Sequence, residues 1–256
     1  MGSSFQRDIK LSMIPFLGPA DPFPPVEQAL DQPDGLLAAG GSLTTRRLIE
    51  AYRRGIFPWF NEGDPILWWS PDPRMVLRPS RLHVSHSLRK KLRKGSFLVT
   101  IDRAFARVLD GCAAPRTGDR GTWLSVPMRR AYTALHHARL AHSIEVWMDG
   151  ELAGGIYGVG IGRMFFGESM FTRRTDASKI AMARLAAQLE RWDCPLIDCQ
   201  LETDHLLSLG AEHMTRRAFV AEVERLTKLS GPQWDIDADL AGSQSHAPRT
   251  VKACPP

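Results

Sequence analysis

The sequence predicts an α+β protein with a mixed, mostly antiparallel central sheet, and three observations carry that expectation. Ser143-Ile-Glu-Val-Trp-Met148 alternates with the period of a strand, and Asp149-Gly150 is a favoured type I′ hairpin turn that returns the chain through Glu151 to Val159. Gly160 to Gly162 turns it again into Arg163-Met-Phe-Phe166, which makes an antiparallel meander. A helix opened by Asp176 or Ser178 then runs to about Trp192, Pro195 breaks it, and Leu196-Ile-Asp-Cys-Gln200 follows as a strand reached by a crossover.

The other elements follow in order. Residues 1–25 are Pro-rich and aperiodic, which reads as an extended arm. Thr44 or Thr45 caps a helix through Tyr52, with Leu48, Ile49 and Tyr52 inward and Gly55 as its stop. Pro58, Pro65, Pro71 and Pro73 then forbid regular helix, so the Trp and Phe residues between Phe57 and Trp69 are expected on irregular backbone, as a small local core or as a binding surface. A second domain begins near Arg74: a strand at Met75–Leu77, a helix around Leu88, a strand at Phe97–Ile101, a helix at Ala104–Leu109, and a longer helix at Pro127–Leu140 with Pro127 in its first turn. Beyond the Leu196 strand come helices at His205–Leu209 and Arg217–Leu229. The division is therefore an arm at 1–25, a small N-terminal domain at 26–73, a larger domain at 74–230, and a Gly-, Ala-, Ser- and Pro-rich tail at 231–256 expected to be disordered.

Composition narrows the function. No apolar stretch is long enough for a signal h-region or a membrane span, so a cytoplasmic chain is expected. Cys112, Cys194, Cys199 and Cys254 lack Cys-x-x-Cys spacing and a His partner at finger spacing, which argues against a disulfide framework and a structural zinc. His83, His86, His136 and His137 read as surface or capping residues, so no metal is expected. The glycines of Gly154–Gly162 fall within a hairpin rather than between a strand and a helix, and no Gly-x-Ser-x-Gly elbow, phosphate-binding loop or His-Glu-x-x-His occurs. No cofactor is expected either.

The net charge is only +5, but the cations are grouped. Arg46-Arg47, Arg53-Arg54, Arg129-Arg130, Arg173-Arg174 and Arg216-Arg217 are doublets, and Ser87-Leu-Arg-Lys-Lys-Leu-Arg-Lys94 coats a short helix whose Leu88 and Leu92 stand one turn apart and which Gly95 can end. Any one doublet is an ordinary solvated face. Together they suit a polyanion such as RNA or DNA, since each cation meeting a phosphate releases condensed counterions.

Candidate chemistry lies between Phe165 and Gln200. Side chains alternate along a strand, so Asp198 and Gln200 project together while Ile197, Cys199 and Leu201 project the other way. A carboxylate on an apolar strand is either a structural residue satisfied by local donors or part of a site. Glu168 is expected just past the third strand of the meander. A surface loop acid is the ordinary reading there, but the apolar flanks Phe165, Phe166, Met170 and Phe171 favour a partly buried carboxylate over it.

Several blocks carry a resemblance: Pro25-Val-Glu27, Gly35-Leu-Leu-Ala-Ala-Gly-Gly-Ser-Leu43, Tyr52-Arg-Arg-Gly-Ile-Phe-Pro-Trp-Phe60, Leu67-Trp-Trp-Ser-Pro-Asp-Pro-Arg74, Gly121-Thr-Trp123, His142-Ser-Ile-Glu-Val-Trp147, Gly167-Glu-Ser-Met-Phe171 and Ile197-Asp-Cys-Gln200. In this order, from about Phe23 to Val223, they resemble the leucyl/phenylalanyl-tRNA–protein transferases of bacteria. The resemblance implies a GNAT-type acyltransferase domain at 74–230 behind the small N-terminal domain. It further implies transfer of Leu or Phe, and less readily Met, from aminoacyl-tRNA to the α-amino group of proteins beginning with Arg or Lys, by a monomer of the N-degron pathway. By the same resemblance Asp198 and Gln200 orient the acceptor amine and relay its proton, with Glu168 lining the pocket; proton transfer through the terminal ribose is the alternative, with Asp198 holding the cationic acceptor. Trp59 and Trp123 would take the 3′-terminal adenosine, and Ile156, Phe165 and Met170 the aminoacyl side chain. Ile156 departs from the Met of the family pattern, and its stiffer shape bears on the choice of Leu or Phe. Arg74 and the helix residues Arg89, Lys90, Lys91 and Arg93 would contact acceptor-stem phosphates. Two other readings stand beside this one: an acetyl-CoA-dependent N-acetyltransferase, with Arg173–Lys179 offering amides to a pyrophosphate, and a non-enzymatic tRNA-binding module.

Overall fold

The computed structural model describes residues 14–114 and 124–242. Four short strands make a first sheet: β1 (Phe16–Leu17), β2 (Leu36–Gly40), β3 (Phe57–Pro58) and β4 (Leu67–Trp69), in the order β1-β2-β4-β3. Between β2 and β3 runs α1 (Thr45–Arg53), whose N-cap is Thr44, with Oγ1 accepting from the Arg47 N–H at 3.3 Å. Gly55 ends this stretch with φ 70°, a left-handed conformation, and any Cβ there would lie 3.1 Å from the Phe219 ring.

The described end of the N-terminal arm includes β1, which pairs in parallel with β2 through Phe16↔Ala39 and Leu17↔Gly40. One expectation is corrected here, since the proline-rich stretch is not wholly irregular. Prolines exclude helix, yet Pro58 closes the edge strand β3, where a missing N–H is tolerated, and Trp68 and Trp69 stand on β4 between β2 and β3. Trp68 is fully buried, donates its indole N–H to the Gly40 carbonyl at 2.9 Å, and meets Phe23 edge-on at 4.8 Å.

The second sheet has seven strands: β5 (Arg74–Leu77), β6 (Leu98–Ile101), β7 (Ala141–Met148), β8 (Glu151–Ile161), β9 (Met164–Thr172), β10 (Leu196–Gln200) and β11 (Glu212–Met214), in the order β11-β5-β10-β9-β8-β7-β6. Only β9 and β10 pair in parallel, and the connection between them is α5 (Ala177–Arg191). The β7–β8 turn has φ 53° at Asp149 and 81° at Gly150, the two positive values that a type I′ turn demands. The β8–β9 turn falls at Gly162 and Arg163, later than expected, and Gly160 lies inside β8, where a Cβ would sit 2.4 Å from Trp234. Strand β9 also runs on to Thr172. Glu168 is therefore a strand residue rather than one just past the strand, and its half-buried state agrees with the partial burial that its apolar flanks favour.

One face of this sheet carries α3 (Phe105–Ala113), α4 (Val126–His137) and α7 (Arg216–Thr227), together with α1 and the first sheet. Leu36, Tyr52, Trp68, Phe166 and Phe219 belong to one continuous apolar core on that side. The opposite face is covered by α5, backed by α2 (His86–Lys94), over Ile144, Ile156, Phe165 and Ile197. Segments α6 (Asp204–Ser208) and α8 (Ala238–Ala241) are short. The described part of the expected disordered tail is folded. Trp234 stacks on His142 at 3.9 Å and 6°, and Arg191 pairs with Asp237 and Asp239, both at 2.6 Å. A single large aromatic anchors a segment whose average composition predicts disorder. Among the described residues no helix is long and apolar enough to cross a membrane.

Candidate active site

Strands β9 and β10 bring the candidate residues together. Their parallel register sets Asp198 opposite Phe166, and two residues further along Gln200 donates from Nε2 to Glu168 Oε1 at 3.0 Å. Regular alternation does not persist to this point. Asp198 pairs with Val76 on β5 while Gln200 pairs with Met75, so Cys199 is the extra residue of a bulge, and Gln200 has φ 64°. The cause is local: the Gln200 N–H folds back to Asp198 Oδ1 at 2.9 Å, a side-chain turn that competes with the ladder.

Asp198 and Gln200 have different surroundings. Asp198 is fully buried, and its two oxygens accept from Arg74 Nε and Nη2, both at 2.7 Å. Arg74 is itself sealed between the Phe57 and Phe219 rings, 4.7 and 4.6 Å from their centroids, and donates also to the Gly55 carbonyl at 3.2 Å. One expectation falls with this pair. Arg74 cannot reach a phosphate, because its side chain is 1% exposed and fully engaged. The Asp198 carboxylate holds the bulge that presents Gln200, and the residue lines a cavity that it shares with Gln200 and Glu168.

Glu168 is the carboxylate at the cleft. Tyr52 on α1 donates to Oε1 at 2.7 Å, Tyr132 on α4 donates to Oε2 at 2.5 Å, and the two hydroxyls lie 2.9 Å apart. Burial pushes the Glu168 carboxyl up to about 7, opposed by the bonds from Tyr132 and Tyr52; the nearby Asp198 charge raises it and Arg74 lowers it. All three tyrosines of the chain, Tyr52, Tyr132 and Tyr157, are buried around this group.

Two cavities share Glu168, Gln200 and Leu201 as a common wall. One, of about 80 Å³, opens beside Phe57, Pro58 and Trp59. Trp59 is 37% exposed, with its ring held edge-on to Trp69 at 5.7 Å. The other, of about 400 Å³, is mostly apolar: Ile156, Met170, Met182, Ile197, Cys199 and Leu206 line it. Ile156 and Met170 are direct partners across β8 and β9. Phe165 is not in this wall. It is fully buried, lies over Gly158 and packs on Trp234 at 5.5 Å. Burial pushes the Cys199 thiol well above its usual range, which makes it a poor thiolate nucleophile.

Other assigned residues lie elsewhere. Trp123 is outside the described residues. On α2, Lys91 donates to Asp176 at 2.8 Å and the Thr175 carbonyl at 3.1 Å, and Arg89 donates to the Val84 carbonyl at 3.2 Å. Lys90 and Arg93 are exposed and carry no ion pair among the described residues. Asp176 is the N-cap residue of α5, and its carboxylate, paired with Lys91 at 2.8 Å and Lys179 at 3.9 Å rather than bonded to the first helix amides, sets a negative charge beside the place where a cofactor pyrophosphate would have to bind. A further cavity of about 510 Å³ lies outside β7 by α3 and α4; its one carboxylate, Asp102, is taken by His142 Nδ1 at 2.7 Å and the Ser143 N–H at 2.8 Å.

Sequence reasoning missed Tyr132 and the pairing of Arg74, and read Tyr52 only as an inward core residue. The available signal was the scarcity of tyrosine, with two of three placed on the inner stripes of helices.

Comparison with known proteins bears on the same residues. A family described as leucyl/phenylalanyl-tRNA protein transferase matches residues 76–224, and its N-terminal domain matches residues 41–72. A leucyl/phenylalanyl-tRNA–protein transferase of Nitrosomonas europaea is 57% identical over 86% of this chain and 94% of its own. Those of Nitrosospira multiformis and Thiobacillus denitrificans are 57% and 58% identical, over 88% and 84% of this chain and 98% and 96% of theirs. Among solved structures, L-PGS from Bacillus licheniformis aligns over 65% of this chain and 53% of its own at 9% identity and a TM-score of 0.36, too slight a likeness to say anything of the fold. With the matched segments covering β3, β4, most of the second sheet and the residues that line the Glu168–Gln200 cleft, this chain belongs to the leucyl/phenylalanyl-tRNA protein transferase family.

Proposed function

We propose that this cleft transfers a leucyl or phenylalanyl group, and less readily a methionyl group, from aminoacyl-tRNA to the α-amino group of a protein beginning with Arg or Lys. The observation that carries the reading is the shared wall: Glu168 and Gln200 separate an apolar pocket from a smaller cavity edged by an exposed Trp59. The pocket suits an aliphatic or aromatic side chain, and Trp59 offers a face for the terminal adenine. The ester bond between them then lies against Gln200 and Glu168.

An aminoacyl ester is already activated, so no covalent intermediate on the enzyme is needed. The acceptor amine, with an ordinary pKa near 7.7 to 8.0, arrives mainly as ammonium at neutral pH. Glu168, at about 7, is matched to take a proton from it. The neutral nitrogen attacks the carbonyl carbon, a C–N bond forms, and the C–O bond to the ribose breaks. The nitrogen's second surplus proton leaves with the ribose oxygen, and Glu168 returns its proton to solvent. Gln200, its Nε2 tied to Glu168, turns Oε1 to accept from the attacking amine.

The crossover β9–α5–β10 with its single parallel pairing supports a GNAT-type assignment of the domain from 74 to 230. The break between β4 and β5 supports a separate N-terminal domain ending near residue 73. A monomer acting in the cytoplasm, where charged tRNA is found, completes the reading. The test uses radiolabelled Leu-tRNA or Phe-tRNA with two peptides, one beginning with Arg and one with Ala. Transfer to the first alone is expected; label on neither, or turnover of acetyl-CoA instead, refutes the assignment.

A further inference from the structure

Three hydrogen-bond contacts close a triangle around Glu168: Tyr52 Oη to Oε1 at 2.7 Å, Tyr132 Oη to Oε2 at 2.5 Å, and Tyr52 Oη to Tyr132 Oη at 2.9 Å. Each tyrosine has one proton to donate. With Glu168 ionised, both protons point at the carboxylate, and the contact between the hydroxyls is left without one. A third proton on Oε2 changes this. Glu168 then donates to Tyr132, Tyr132 donates to Tyr52, and Tyr52 donates to Oε1, so every contact is a hydrogen bond.

We propose that Tyr52, Tyr132 and Glu168 act as one proton-accepting unit: a proton taken from the incoming ammonium onto the Glu168 carboxylate completes a ring of hydrogen bonds through the two tyrosine hydroxyls. The N–H bond breaks, the O–H bond forms, and the hydroxyl protons reorient within the ring. The tyrosines touch no substrate and are positioning residues. The inference rests on the transfer reaction proposed above. Its geometry joins three parts of the chain, since Tyr52 comes from α1 beside the first sheet, Tyr132 from α4, and Glu168 from β9. The other titratable and charged groups facing Glu168 are Tyr157 on β8, Asp198 on β10 and Arg74 on β5. Arg74 and Asp198 neutralise one another, and the Tyr157 hydroxyl is buried without a hydrogen-bond partner.

Bonds from the tyrosines to a charged carboxylate are stronger than bonds within the neutral ring, so losing a hydroxyl raises the proton affinity of Glu168. Tyr52→Phe and Tyr132→Phe are tested against Tyr157→Phe as control, with transfer of Leu measured from pH 6 to 9. Each of the first two is expected to lower kcat about twofold or more at pH 7 with little change in KM for aminoacyl-tRNA, to move the acid limb up by about half a pH unit or more, and to recover most of the loss by pH 9. Tyr157→Phe is expected to leave the limb in place. A loss in Tyr52→Phe and Tyr132→Phe that is the same at every pH, with an unmoved limb, overturns the proposal. Infrared difference spectra against Glu168→Gln report the carboxyl without any assay. Its titration should move upward in both variants, and a midpoint unchanged from the parent rejects the unit even if the chain transfers nothing.

Discussion

Arg74 and Asp198 form a two-pronged ion pair, Nε to Oδ1 and Nη2 to Oδ2 at 2.7 Å each, with neither side chain open to solvent. Such a pair is strongly destabilising to break, because removing one partner strands the other charge in the core. Asp198→Ala or Arg74→Ala should therefore lose about 3 to 5 kcal/mol in urea unfolding. Arg74→Met combined with Asp198→Leu should stay within about 1 kcal/mol of the parent, yet transfer slowly, because Asp198 also holds the Gln200 bulge. A double variant with full activity would show that the bulge does not depend on Asp198.

Gln200 is the amide at the common wall. Gln200→Ala should lower kcat for transfer about a hundredfold, with KM for aminoacyl-tRNA changed less than about threefold and the unfolding midpoint nearly unmoved. Gln200→Glu should be as slow near neutral pH, since a second carboxylate beside Glu168 repels it. Steady-state kinetics with Leu-tRNA and an Arg-initiated peptide measure both. A large rise in KM alone would instead assign Gln200 to binding.

Glu168 also makes stability depend on pH. Burial raises its carboxyl from an ordinary 4.5 to about 7, so between those values the folded chain binds more protons at this site than the unfolded chain. Its contribution is fully present below about pH 4.5 and is lost as pH rises through 7. The melting temperature of the parent minus that of Glu168→Gln should therefore fall from pH 5 to pH 8 and level off above. A difference independent of pH would mean that Glu168 has the same proton affinity folded and unfolded.

Ile156 pairs with Met170 across β8 and β9 in the wall of the apolar pocket and is stiff at χ1. Ile156→Met relieves the branch at Cβ, and the ratio of Phe to Leu transferred from an equal mixture of charged tRNAs should rise by about two- to tenfold. An unchanged ratio would move the selecting contact to Met182 or Leu206, which line the same cavity.

Lys90 and Arg93 are exposed cations of α2 with no ion pair among the described residues. Reversing both, Lys90→Glu with Arg93→Glu, should raise KM for aminoacyl-tRNA at low salt and reduce the salt dependence by about two ion equivalents. Transfer from a short aminoacyl-adenosine donor, which has no acceptor stem, should be unaffected. Equal losses on both donors would place the effect in folding rather than in phosphate contact.

Local chemistry alone determined much of this protein. Alternation and an Asp-Gly turn specify the β7–β8 hairpin, Thr44 and Gly95 mark helix ends, and the blocks from Phe23 to Val223 carry the family. These signals are short in range, each set within a few residues by backbone sterics or by side-chain period. Tertiary structure decided the site. Arg74 meets Asp198 across 124 positions of chain, and Tyr52 meets Glu168 across 116, so neither contact has any local signature. Only their assembly turned a basic residue expected at a phosphate into a core counter-ion, an acid expected just past a strand into a strand carboxylate with raised proton affinity, and an inward tyrosine into its partner. Long-range packing fixes which polar groups lose water, and desolvation sets their charge state and thereby their chemistry.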